Sequence, residues 1–390
     1  MIPAAARSSA SFNYFLAHTG LYQFSSNLAG VFFVAFMLRQ GVPQPLVFLS
    51  MAGVFALRFC LRPLVVELAK VAGLRGALVV GTVVSCLQYL TLARLQGVDV
   101  WLLAWIAATA VGDGIYWTLF HVMFAAVGDG DKLGRQTSVR QLMFAAASVG
   151  GPPIGGLMLT AFSPWVAFTV AGLMRAASSL PLLGIAEPPF EREAPSGAYR
   201  AGAFGAAVFM TDGWNICGAG VAWAMISFYG LGERFDSLGL ALSAASAVGA
   251  AGGFVIGRLV DLGHATRAVL VNLLAAVSVL VAQSAAASHP TLVVGAMVFA
   301  ALAGGLSIPT MMPAVYGAIK GAPCALRFQF ATEGGWDTGA VAASLCAAGL
   351  AWLGWPLWSI VLSAIPALMV QAGLLVSKYK SRTDAVALAN

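Results

Sequence analysis

The feature that most constrains this chain is a succession of apolar runs, each on the order of 20 residues or more, separated by short polar gaps. Twelve can be read, at 12–38, 43–68, 73–96, 99–126, 136–162, 164–186, 202–229, 236–260, 267–287, 291–317, 328–353 and 355–377. Lipid offers backbone N–H and C=O groups no partner, so each run must close its own hydrogen bonds as a helix. Composition agrees: 60% of residues are hydrophobic and 9% charged, with mean hydropathy +0.87. A soluble domain needs about 25% charged residues to wet its surface. The expected fold is an all-α integral membrane protein of twelve transmembrane helices, solvated by the lipid bilayer.

Lysine and arginine set the orientation. With the N-terminus inside, Arg7, Lys70, Arg75, Lys132, Arg135, Arg140, Arg192, Arg200, Arg258, Arg267, Lys320, Arg327, Lys378, Lys380 and Arg382 fall on or near the inner side. Only Arg39, Arg94 and Arg234 fall outside, while Arg58, Arg62 and Arg175 lie within runs. The positive-inside rule then predicts a multi-pass protein of the cell inner membrane with both termini cytoplasmic. The net charge of +6 is thereby explained without nucleic acid. Cys60, Cys86, Cys217, Cys324 and Cys346 show no paired spacing, which argues against a disulfide framework or a zinc site. The N-terminal segment carries no cleavable signal pattern, since the first apolar run is long enough to span and stay.

The longest hydrophilic gap, 187–201, is rich in Pro and charge and reads as a cytoplasmic linker. It divides the chain into six-helix halves at 1–186 and 202–390. A weak repeat supports the division: aligning Arg135 with Arg327 sets Arg140-Gln141 opposite Thr332-Glu333, at the entry to the fifth run of each half. Short motifs accompany it. The gap after the eighth run reads Gly257-Arg-Leu-Val-Asp261-Leu-Gly263, and the matching gap in the first half is a degraded Pro63-Leu-Val-Val-Glu67. The fifth run contains Gly151-Pro152-Pro-Ile-Gly155-Gly156. On these motifs and the six-plus-six pattern, the chain resembles the major facilitator superfamily over essentially its whole length. The resemblance implies two pseudo-symmetric six-helix bundles, with the first, fourth, seventh and tenth helices lining a central cavity. It also implies a secondary transporter acting by alternating access. One departure is clear: the arginine usual early in the fourth helix of drug–proton antiporters is missing from the stretch Trp101 to Asp113. The Gly151–Gly156 element suggests efflux, and this departure weakens that expectation.

A carboxylate inside the bilayer is costly and therefore marks function or pairing. Asp113, Trp117 and His121 recur at i, i+4 and i+8 of the fourth run, so they share one helix face, with Tyr116 beside them. That set could bind a small organic solute or exchange protons. A simpler reading is that Asp113 caps a break at Gly112-Asp113-Gly114. The seventh run adds Asp212, Trp214 and Asn215, and the first adds Tyr22, Gln23 and Asn27, any of which could equally be interhelical hydrogen-bond glue. The tenth run, with Gly304-Gly305, Ser307 and Pro309, reads as a broken segment. Arg58 and Arg62 on the second run and Glu333 and Asp337 on the eleventh recur at i, i+4 with matching depths. The resemblance implies that the second and eleventh helices meet across the two halves, so Arg58–Asp337 and Arg62–Glu333 are expected to pair as a gate; the rival reading makes Glu333 or Asp337 the proton carrier.

Other classes are less favoured. His121, Met123, Met210, Cys217, Met311 and Met312 are ligand types that suit copper, which would make the cargo a transition metal or metal chelate. No spaced ligand repeat supports a resident metal, and no cofactor is implied. A membrane-embedded lipid-handling protein or enzyme would need a nucleophile or zinc motif of the Gly-x-Ser-x-Gly or His-Glu-x-x-His kind, and neither occurs. No phosphate-binding loop for ATP occurs either. The expected partners are a small-molecule substrate, protons and lipid, with no nucleic acid; the protein is expected to be a monomer, and a transporter rather than an enzyme.

Overall fold

The computed structural model describes residues 4–128, 133–189, 193–260 and 265–389, without side-chain detail at 4–9, 125, 133–138, 252–260, 320 and 382–389. Gly257 therefore has only its backbone described, and Asp261 and Gly263 lie outside the described residues. Among the described residues there is no strand.

The helices are α1 (Ala4–Leu28), α2 (Phe33–Arg39), α3 (Gln44–Val84), α4 (Leu87–Leu92), α5 (Val100–Val127), α6 (Leu133–Ala161), α7 (Pro164–Ala177) and α8 (Ala203–Trp214). They continue with α9 (Val221–Gly230), α10 (Phe235–Val260), α11 (Ala265–Ser288), α12 (Val293–Gly304), α13 (Ser307–Lys320), α14 (Ala325–Trp352), α15 (Leu357–Leu362) and α16 (Ile365–Ala389). Among the described residues, eight segments are long and apolar enough to cross a membrane. One of these, Gln44–Leu92, has 49 residues. At 1.5 Å per residue it runs about 70 Å, more than twice a hydrocarbon core of about 30 Å.

The gap expected at 69–72 is helical; the chain turns instead at Gly73, the one residue of α3 with non-helical dihedrals (φ 76°). Only glycine adopts that conformation cheaply. A Cβ at residue 73 would come within 2.6 Å of the Glu187 carboxylate. That carboxylate accepts from the Arg75 backbone N–H (3.2 Å) and lies 3.6 Å from Arg75 Nε. Glu187 thus supplies a negative charge at the N-terminus of the second half of α3, where the helix dipole favours it.

The chain forms two compact units. Unit 1 holds Met1–Pro43, Gly53–Pro195 and Arg234–Ser243; unit 2 holds Gln44–Ala52, Ser196–Glu233 and Ala244–Asn390. In unit 1, α1 packs closely on α6. A Cβ at Gly151 would meet the Asn27 backbone, and one at Gly155 would overlap the Leu28 carbonyl. Gly156 has the same relation to the Phe235 carbonyl, and Gly239 to that of Pro152. The glycines of the Gly151–Gly156 element are therefore close-approach residues, as small residues are wherever membrane helices touch. In unit 2, α8 and α14 do the same: Gly213 faces the Trp336 carbonyl, Gly335 that of Ala206 and Gly339 that of Met210.

Polar side chains within the helices are mostly returned to the backbone. The hydroxyls of Thr19, Ser50, Thr82, Thr118, Thr160 and Thr338 each donate to the carbonyl four residues earlier, at 2.7–2.9 Å. This satisfies them without water.

Candidate functional site

Within unit 1 the sequence-chosen residues divide into two kinds. Tyr22 and Tyr116 are fully buried and stacked, with ring centroids 3.7 Å apart and planes at 3°. They join α1 to α5. Asp113, Trp117 and His121, on one face of α5, are only half-buried. Trp117 lies edge-on to Tyr22 (6.1 Å) and to Tyr116 (5.2 Å), and 6.1 Å from the His121 ring.

No helix break accompanies Asp113. α5 runs unbroken through it, so the capping interpretation does not hold. Gly112 instead admits the Ser85 backbone, and Gly114 faces the Arg58 side chain at 3.0 Å. Among the described residues, the Asp113 carboxylate has no hydrogen bond or ion pair. It lies within electrostatic reach of Arg175 and Arg58.

Arg175 is the residue that sequence reasoning passed over. It sits on α7 and is 2% exposed. Its Nε donates to Ser25 Oγ (3.2 Å), Nη1 to Ser85 Oγ (3.5 Å), and Nη2 to Ser26 Oγ (2.6 Å) and Tyr89 Oη (2.7 Å). Each acceptor sends its own proton elsewhere: Ser25 to Ala171 O, Ser26 to Tyr22 O, Ser85 to Thr82 O and Tyr89 to Ser25 O. Lone pairs are thereby left free for the guanidinium. The Tyr22 ring completes the site, its centroid 3.6 Å from the Arg175 guanidinium carbon. The only sequence signal was an arginine inside an apolar run.

Nearby, His18 is buried, with Nδ1 2.8 Å from the Ser178 carbonyl. A carbonyl can only accept, so Nδ1 carries the proton. His18 Nε2 and Tyr116 Oη are both buried without a hydrogen-bond partner, and their rings lie 5.7 Å apart.

Gln23 and Asn27 are half-buried on α1, and the Asn27 amide donates to Gln23 O (2.9 Å) along its own helix. Arg58 and Arg62 are 4% and 1% exposed. Arg58 lies over Phe55 (5.0 Å), and Arg62 Nη1 donates to Thr118 Oγ1 (3.0 Å).

Unit 2 carries the other carboxylates. Asp212 Oδ2 accepts from Trp336 Nε1 at 3.0 Å, across the close α8–α14 contact. Glu333 (5% exposed) accepts from Gln329 Nε2 at 3.1 Å, and Asp337 is fully buried. Trp214 Nε1 donates to Ser363 O at 3.3 Å. Asn215 begins a π-helical segment, Asn215–Gly220, and its Oδ1 is buried without a partner. Such local widening of a helix is frequent at functional sites, and nothing in the residue pattern announced it. The break expected in the tenth run is present, between Gly304 and Ser307.

A division of charge emerges. Among the described residues, every buried charged group in unit 1 is an arginine: Arg58, Arg62, Arg140 and Arg175. Unit 2 buries Arg327, Glu333 and Asp337. Buried ionic groups in membrane helices mark solute and ion pathways.

Comparison with known proteins agrees with this architecture. No curated protein sequence matches the chain. Two similar solved structures are the human organic anion transporter MFSD10 and a POT family transporter in complex with 5-aminolevulinic acid. The first is 14% identical, with TM-score 0.64, covering 96% of this chain and 100% of the other. The second is 13% identical, with TM-score 0.67, covering 96% of each chain. Similarity at that identity establishes the fold alone. The family model described as Major Facilitator Superfamily matches residues 15–320, and the chain accordingly belongs to the Major Facilitator Superfamily as a multi-pass membrane transporter.

Proposed function

We propose that the chain is a proton-coupled secondary transporter of a small organic solute, working by alternating access. In this reading it has twelve spans in two six-helix bundles, 1–186 and 202–390, joined by a cytoplasmic linker at 187–201. It lies in the inner membrane as a monomer, with both termini cytoplasmic. The observation that carries the coupling is Asp113: a half-buried carboxylate within an apolar helix, with no hydrogen bond or ion pair among the described residues. Such a group is held in readiness for a proton, since protonation removes the charge the bilayer disfavours.

Trp117 and His121 on the same face would meet the solute. The pairing of Arg58 with Asp337 and of Arg62 with Glu333, taken from their matching depths and from the family resemblance, belongs to the same proposal as a state-dependent gate. An alternating-access cycle needs an element that biases two states, and buried ion pairs serve that end better than they serve stability.

The test is flux in proteoliposomes with and without an imposed pH gradient, for wild type and Asp113→Asn. Gradient-driven accumulation in wild type, reduced in Asp113→Asn to gradient-independent exchange, is the expected result. Equal accumulation by Asp113→Asn would remove Asp113 as the coupling group.

A further inference from the structure

Arg140 differs from the other buried arginines of unit 1. It lies on α6 and is 5% exposed. Its guanidinium carbon stands 4.4 Å from the Phe124 ring centroid and 5.7 Å from that of Phe144. Its Nε is buried with no hydrogen-bond partner, and no hydrogen bond or ion pair joins the guanidinium to any described residue. Arg175, by contrast, donates to four oxygens. A buried charge is normally paired, and a ring face offsets only part of the hydration it has lost.

The two arginines stand at opposite ends of one aromatic column. From Arg175 it passes through Tyr22 and Tyr116 (3.7 Å between centroids) to Phe120 (5.4 Å). It continues to Phe15 (5.2 Å), then Phe124 (6.2 Å), which Arg140 covers. Trp117 and His121, half-buried, pack on Phe120 at 5.6 and 5.5 Å. One end of the column is closed by hydroxyls, and the other presents a guanidinium that donates to no described residue. A guanidinium fork fits a carboxylate or a phosphoryl group better than any neutral ligand.

We infer that Arg140 is the receptor for an anionic group of the transported solute, an organic carboxylate or phosphate ester whose apolar body lies against the α5 aromatics. This rests on the transporter reading and narrows its solute class.

The test uses the full chain in detergent and follows thermal stabilisation by benzoate, succinate and phenyl phosphate. Benzamide, succinamide and benzylamine serve as uncharged and cationic counterparts. Stabilisation by anions alone is expected, with apparent affinity falling on the order of 100-fold in Arg140→Gln and less in Arg140→Lys. Size-exclusion profiles matching wild type show that both variants fold. Equal stabilisation by the counterparts, no stabilisation by any of the anions, or unchanged affinity in Arg140→Gln overturns the inference. Asp129 and Asp131, the nearest carboxylates in sequence, lie outside the described residues. An Asp129→Asn/Asp131→Asn variant should bind anions as wild type does; a marked gain would identify a resident carboxylate as the partner and overturn the inference. The transporter reading fails separately, if wild type in proteoliposomes moves no solute under any gradient. Solute movement that survives Arg140→Gln with unchanged affinity leaves that reading standing and removes this one.

Discussion

The guanidinium of Arg175 lies over the ring of Tyr22, 3.6 Å from its centroid, and Tyr22 in turn stacks on Tyr116. A cation on α7 is thereby tied to α1 and α5 through π-faces, and to α4 through the Tyr89 hydroxyl. Lysine cannot reproduce a planar fork that donates in several directions at once. Arg175→Lys and Arg175→Ala should both lower unfolding stability by about 3 kcal/mol, the scale of lost hydrogen bonds to a charged group. Denaturant titration in mixed micelles measures this; a Lys variant as stable as wild type would show that charge alone suffices.

Gly155 and Gly150 lie on the same helix yet meet different neighbours. A Cβ at 155 would overlap the Leu28 carbonyl, whereas one at 150 meets the Phe24 side chain at 3.4 Å. Backbone cannot yield as a side chain does. Gly155→Ala should destabilise by about 2 kcal/mol or more through overpacking. Gly150→Ala should be neutral or slightly stabilising, because alanine is the better helix former by roughly 1 kcal/mol. Comparing their melting temperatures checks the pair; equal values would mean that α1 and α6 are not held at backbone distance.

Gly73 combines a positive φ with a neighbouring carboxylate. Gly73→Ala should cost about 1–3 kcal/mol from the positive-φ backbone alone, with a further loss from displacing Glu187. Glu187→Gln keeps an acceptor for the Arg75 N–H and should be milder than Glu187→Ala. Limited proteolysis of the 187–201 segment reports the anchoring: faster cleavage is expected in Gly73→Ala and Glu187→Ala, and identical rates would argue that Glu187 anchors nothing.

Asp99 caps α5, its Oδ1 accepting from Trp101 N (2.9 Å) and Leu102 N (3.2 Å) and its Oδ2 from Gln96 N (3.1 Å). Asp99→Ala should cost about 1 kcal/mol and Asp99→Asn much less, since Asn also caps. Because α5 carries Asp113, hydrogen exchange at its first turn should rise in Asp99→Ala while exchange near Asp113 stays unchanged. Faster exchange at both places would mean that the helix frays as a whole.

Much of the fold was legible because the bilayer makes hydrophobic run length a direct statement about helices. The apolar runs, the broken tenth helix and the single-face set Asp113, Trp117 and His121 all follow from spacing along one strand of sequence. The division expected between 43–68 and 73–96 is present but shorter than a gap of several residues: one glycine dihedral at Gly73 makes the turn, and the residues around it stay helical. The Asp113 capping reading went wrong for a nonlocal reason, since Gly112 and Gly114 serve neighbouring helices rather than a break in their own.

By itself, then, the sequence determined that this chain lives in lipid as helices, because burial of apolar length is a one-dimensional property. It also placed Arg58, Arg62 and Arg175 inside apolar runs, but not Arg140 and Arg327, which were read near the inner side and are buried. Only the tertiary structure decided what surrounds each of them. The oxygens that satisfy Arg175 stand 86 to 150 positions away in the chain. In sequence Arg140 stood near the inner side and Arg175 inside an apolar run, and neither position named its partners. One is closed in by hydroxyls and the other set against aromatic rings, because packing brings distant helices together and only packing fixes which partner a buried charge finds.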